Sequence, residues 1–165
     1  PYERLAMGSF SPSRLPESML QEVWTYIVDL GFRARMHGQL SAGVPSKDGV
    51  AYRLDVENTG LAGRGLTAED VTVMLTVPAA ATVVSATGAG YQGVRRDEQA
   101  KANVAVWTVS RMAPKDRQAY TLTLSQAGTA KDNVRGTIRW TKPTVKTGAN
   151  DAEAIAPAPL GAQSQ

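Results

Sequence analysis

Two different periods divide the chain. From Pro16 to Leu30 the apolar residues Leu20, Val23, Trp24, Ile27 and Leu30 fall three and four apart, while Glu17, Gln21, Glu22, Thr25 and Asp29 take the other face. This spacing predicts an amphipathic helix over 16–30, about four turns long. Pro16 suits a first turn, where its missing N–H leaves no bond unmade. Glu17 suits the positive end of the helix dipole, and Gly31 is a natural stop.

After Gly31 the period changes to two. Tyr52, Leu54 and Val56 alternate with Arg53, Asp55 and Glu57, and Asn58-Thr59-Gly60 makes a turn. Val71, Val73, Leu75 and Val77 alternate with Thr72, Met74 and Thr76 until Pro78 removes a ladder donor. Short strands follow over 82–87, 104–109, 119–125 and 134–141, separated by turn residues and stopped by Pro143. With 33–40 as the first, the pattern predicts seven strands that pack as two antiparallel sheets face to face, a mainly β sandwich. Trp107 and Trp140 are its bulkiest core candidates. The stretch 144–165 is rich in Ala, Pro and Gly and is expected to be a flexible tail or an extended strap, with Ile155 to Leu160 able to add an edge contact.

Composition sharpens this mainly by exclusion. The chain of 165 residues has no cysteine, which removes disulfides, thiolate metal sites, cysteine nucleophiles and covalent haem attachment within it. Its single histidine, His37, leaves no triad partner and no multi-histidine metal site, so a noncatalytic role is expected. The 18 basic and 15 acidic residues give a net charge of +3. The one adjacent basic pair, Arg95-Arg96, runs straight into Asp97-Glu98, so no nucleic-acid partner is expected. No apolar run is long enough for a transmembrane segment. The opening Pro1-Tyr2-Glu3-Arg4 shows no signal-peptide pattern and suggests a chain cut from something longer.

Two resemblances follow from particular residues. Val56-Glu57-Asn58-Thr59-Gly60, Asp70-Val71-Thr72-Val73 running to Val77-Pro78, Trp107-Thr108-Val109, and Met112-Ala113-Pro114 ahead of Tyr120-Thr121-Leu122-Thr123-Leu124 resemble the bacterial immunoglobulin-like repeat domains of secreted and surface proteins, the DUF11 group. The resemblance implies an immunoglobulin-like sandwich over 32–143 that serves as spacer, adhesion or docking module.

Met7-Gly8-Ser9-Phe10-Ser11, then Leu15-Pro16-Glu17-Ser18 and a helix carrying Trp24-Thr25-Tyr26-Ile27, resemble the C-terminal end of a class I cytochrome c. That resemblance covers 1–31. It implies that Met7 is the distal haem-iron ligand, that Phe10 lines the pocket, and that Trp24 and Ile27 dock over the haem edge of an intact parent protein. Gly8 stands where that family usually has proline, and the Cys-x-x-Cys-His segment with its proximal histidine is missing. The expectation is therefore no cofactor in this chain alone, haem c in a longer parent, and missing haem-domain residues upstream of Pro1.

The other candidate chemistry is sparse. Glu69-Asp70 and Asp97-Glu98 are acidic pairs of the residue type that binds calcium, but they lack the spaced acidic loop such a site uses. Gly88-Ala89-Gly90 precedes no helix, so it does not read as a phosphate loop. Asp48 and Glu57 have nothing to bring them together as acid and base. Tyr91, between Gly90 and Gly93, is the best exposed aromatic for sugar stacking.

Three functions compete. The first is the C-terminal region of a periplasmic or extracellular c-type cytochrome, with a protein redox partner or envelope protein as its contact. The second is an envelope structural or adhesive module without redox role. The third is a carbohydrate-binding accessory domain.

Overall fold

The computed structural model describes residues 16–23, 34–60, 67–141 and 150–155, with the main chain alone for 150–154. The chain divides into two compact units, Pro1–Arg33 and Ala34–Gln165.

In the first unit, residues 17–23 form a short helix, α1. The Pro16 carbonyl accepts from the N–H groups of Met19 (2.9 Å) and Leu20 (3.2 Å), so the proline opens the first turn as its missing donor predicts. The predicted continuation through Trp24 and Ile27 to Leu30 lies outside the described residues.

The second unit is a β-sandwich. Its described strands are β1 (Met36–Ala42), β2 (Val50–Asn58), β3 (Ala68–Val77), β4 (Val83–Thr87), β5 (Tyr91–Asp97), β6 (Ala102–Met112), β7 (Arg117–Leu124), β8 (Gly136–Thr141) and β9 (Asn150–Ile155). Among the described residues one sheet has four strands in the order β1-β2-β7-β4, and the other has five in the order β5-β6-β3-β8-β9. Every pairing is antiparallel.

Alternation makes the core. Tyr52, Leu54 and Val56 of β2 meet Leu122 and Tyr120 of β7 on the inner face of the first sheet. Val71, Val73 and Leu75 of β3, with Ala105 and Trp107 of β6 and Ile138 and Trp140 of β8, supply the facing layer. Trp107 is fully buried and its ring lies 5.5 Å from that of Tyr120, so the two sheets meet through this aromatic pair.

The antiparallel sandwich stands, but seven strands are too few. β5 was not predicted because both its faces are largely exposed and a register shift between Tyr91 and Gly93 breaks the alternation. β9 falls inside the expected tail, among Asn, Asp, Ala and Glu. Residues 150–155 are thus a paired edge strand, with a main-chain ladder to β8 supplying the order that their side chains do not advertise.

Ile155, buried, closes this side of the sandwich. A Cβ on Gly38 of β1 or on Gly136 of β8 would come within 2.7 Å of its Cδ1, so both glycines make room for it. On the opposite side the outermost strands are β4 and β5, joined by the turn 88–90.

Asn58 pins the end of β2. Fully buried, it donates from Nδ2 to the Met112 carbonyl (3.0 Å) and accepts from the Gly60 N–H on Oδ1 (3.0 Å). Its own N–H donates to the Asp116 carbonyl (3.1 Å) and its carbonyl accepts from the Lys115 N–H (2.7 Å).

Candidate functional site

The residues that alternate outward from β1, β2 and β7 form an open trough of about 510 Å³ on the four-stranded sheet. Strand register decides its make-up. His37 stands opposite Glu57, and Gln39 opposite Asp55. On the other flank Glu57 faces Arg117 and Asp55 faces the small Ala119, with Arg53 one step along.

The charges in the trough answer one another. Arg53 donates from Nε to both oxygens of Asp55 (3.1 Å each) and from a terminal nitrogen to Oδ1 (2.9 Å). The Asp55 hydrogen bond, and then its charge, raise the Arg53 pKa above its ordinary value and keep the guanidinium cationic. Arg117 donates to Glu57 Oε1 at 3.3 Å. Pairs this exposed add little to stability. Chemically the trough is a charge-balanced, hydrogen-bonding surface whose carboxylates already accept from guanidinium groups.

The structure separates most of the other sequence candidates. Glu69 stands opposite Arg111 and Asp97 opposite Ala102, which puts the two acidic pairs at opposite ends of β6, roughly 30 Å of extended strand apart. Each acidic pair also has local work. Asp97 Oδ1 accepts from the Gln99 N–H (2.8 Å) in the β5–β6 turn, and Asp70 Oδ2 accepts from Thr141 Oγ1 (3.0 Å). Among the described residues, no group of three or more His, Cys, Asp or Glu side chains comes together around a common point. Asp48 precedes β2 and Glu57 stands one residue before its end, so this pair is also held apart by the length of the strand.

Gly88 and Gly90 serve the fold. Both have positive φ, and a Cβ would meet Tyr120 Cδ1 at Gly88 and overlap the Thr108 carbonyl at Gly90. Trp140 is buried with Trp107, as core candidates should be. Tyr91 is 38% exposed, and its ring lies 5.4 Å from Trp107 at a tilt of 49°.

Met7, Phe10, Trp24 and Ile27 lie outside the described residues. The donor set of the chain does not fit a haem c by itself. Such a haem is attached through two thiols, this chain has no cysteine, and its only histidine stands on the exposed face of β1 in the second unit.

Two features were missed from the sequence. The trough needs the β1–β2–β7 register, which no local pattern contains, although the outward phase of Arg53, Asp55 and Glu57 was readable. The outer edge of β5, unpaired among the described residues, was also missed; its one sequence signal was the adjacent pair Arg95-Arg96. Among the described residues no helix is long and apolar enough to cross a membrane.

No protein-family model and no curated protein matches the chain. Among solved structures, an inactive mutant of a GH20 exo-β-N-acetylglucosaminidase from Vibrio harveyi is similar over 77% of this chain and 19% of that chain, at 9% identity and a TM-score of 0.52. The GH20 exo-β-N-acetylglucosaminidase from Vibrio harveyi in complex with N-acetylglucosamine is similar over the same shares, at 9% identity and a TM-score of 0.48. This chain therefore spans 19% of the length of the enzymes it matches, and at that identity the likeness to the first is one of fold alone.

Proposed function

We propose that this chain is the noncatalytic C-terminal region of a periplasmic or extracellular c-type cytochrome, in which the sandwich is a docking or spacer module beside a haem domain. The observation that supports this reading is where the chain divides. Its two compact units part between Arg33 and Ala34, close to residue 31, where the cytochrome-like pattern ends. Pro16 also opens a helix in the place where that pattern has its terminal helix.

In this reading Met7 is the thioether ligand to the haem iron, Phe10 and Trp24 line the haem edge, and the thiols and proximal imidazole come from upstream residues. The haem would supply one-electron chemistry. The second unit would supply contact with a redox partner or an envelope protein.

The test is the longer gene product. The reading frame ahead of Pro1 is expected to encode Cys-x-x-Cys-His, and the purified protein to carry covalent haem with reversible oxidised and reduced spectra. Replacing Met7 with alanine should then leave the haem attached but lower its reduction potential, because the thioether favours ferrous iron. An upstream frame without that segment, or a product without haem absorbance, would leave the envelope structural module as the better reading.

A further inference from the structure

We propose that the free edge of β5 receives an extended acidic segment of a protein partner, which joins the five-stranded sheet as an additional strand. This deepens the docking role proposed above by naming the surface and the chemistry of what binds it.

The sandwich is finished on one side and open on the other. On the finished side Ile155 of β9 seats over Gly38 of β1 and Gly136 of β8. Among the described residues β4 and β5, like β1 and β9, each pair with one neighbour only, which leaves a row of main-chain donors and acceptors facing outward along each strand.

The side chains of β5 say what this row accepts. Tyr91 stands opposite Trp107 and Val94 opposite Ala105, both core residues, so these two lie on the inner side of the strand. They are nevertheless 38% and 45% exposed, an apolar rim where the core comes to the surface. Arg95 stands opposite Val104 and Arg96 opposite Asn103, one on each side of the strand, and both are exposed. Among the described residues neither arginine has an ion-pair or hydrogen-bond partner. Their nearest acidic neighbours in sequence do not cancel them equally. Asp97 is turned to the Gln99 and Ala100 N–H groups, which leaves Glu98 in the turn, where Lys101 follows.

These arginines discriminate between occupants. A second copy paired antiparallel about Arg95 and Arg96 would bring two guanidinium groups together on each side of the strand pair, and like charges so placed repel. A segment that alternates apolar and acidic residues meets the edge on every term. Its main chain completes the ladder, its apolar side chains cover Tyr91 and Val94 on the inner side, and its carboxylates reach Arg95 on the outer side, with Arg96 adding cationic charge to the same edge. The register shift lies at the Tyr91 end, so Val94 to Asp97 offer a regular run for pairing.

The experiment uses the whole 165-residue chain, isotope-labelled for amide spectra, with a decapeptide alternating valine and glutamate as the probe and one alternating valine and lysine as its control. The glutamate peptide is expected to shift and protect amides of 91–97 saturably, and to leave those of β1 and β9 unchanged. The double variant R95E/R96E should bind it about tenfold more weakly or worse and should favour the lysine peptide. A urea unfolding midpoint close to that of the parent shows that the variant is folded; should it not be, R95Q alone should weaken binding in the same direction, and by more than R96Q alone. Equal binding of the two peptides, no binding, shifts confined to other strands, or stronger perturbation of the same amides by duplex DNA or anionic vesicles would overturn the proposal. None of these outcomes depends on haem, and the haem content of the longer product does not depend on β5, so the two readings fail separately.

Discussion

Replacing Asn58 with alanine should be among the most damaging single changes available outside the apolar core. The side chain is fully buried and spends both ends on main-chain groups, the Met112 carbonyl and the Gly60 N–H, each at 3.0 Å. Alanine leaves both in place without partners. A buried orphan costs about 1–3 kcal/mol, so the two together should remove about 2–6 kcal/mol. A domain of this size has about 5–15 kcal/mol in total. The assay is equilibrium urea unfolding followed by the fluorescence of the buried Trp107 and Trp140. With a slope of about 2 kcal/mol per molar urea, the midpoint should fall by roughly 1–3 M. Thr59→Ala is the control: it deletes one exposed side-chain bond, from Thr59 Oγ1 to the Arg35 carbonyl, and should cost less than about 1 kcal/mol. If Asn58→Ala moved the midpoint no further than Thr59→Ala at an unchanged slope, the claim that this residue ties β2 to the β6–β7 turn would fail.

Three further predictions use other parts of the sandwich. Tyr120 is fully buried and its hydroxyl has no partner among the described residues, so Tyr120→Phe should stabilise by about 1 kcal/mol in the same urea assay. Burial pushes the Tyr120 pKa up from 10.0 to about 12. The folded state therefore favours the neutral phenol, and its contribution holds below pH 10 and is lost as pH rises through 12; the phenylalanine variant should lose less stability over that window in an alkaline titration. Ile155→Ala should cost about 2 kcal/mol or more and selectively speed amide exchange in β9, because it empties the seat over Gly38 and Gly136. Gly90→Ala should cost about 3 kcal/mol or prevent folding, read as lost cooperativity in thermal unfolding, since its Cβ would overlap the Thr108 carbonyl at a backbone φ of 74°.

Legibility in the sequence followed burial. β2 and β8 bury one face and expose the other, so Tyr52, Leu54 and Val56, or Ile138 and Trp140, declare themselves by alternation. β5 does not: its edge position leaves both faces exposed, and the bulge at Gly93 reverses whatever phase existed. β9 pairs main chain to main chain with β8, and its Ile155 is buried. The turn at Asn58-Thr59-Gly60 was read from residue type, but the burial of Asn58 depends on a turn 54 residues away, at Met112, which only the folded chain brings near. The trough was out of reach for the same reason. Arg117 and Glu57 are 60 residues apart, and their meeting is a fact of register.

The seat of Ile155 also sets an order of events in time. It rests on Gly38, 117 positions earlier, so the first strand of the sandwich waits for the last before that flank has its cover. During synthesis β1 can pair with β2 long before residue 155 exists, and it must do so with its inner surface around Gly38 still bare. A chain that stalls or is clipped before Ile155 would carry a nearly complete fold with one seam unsealed. Such a species would be open to wrong strand partners along β8, and its removal would fall to whatever proteolysis acts on exposed sheet edges.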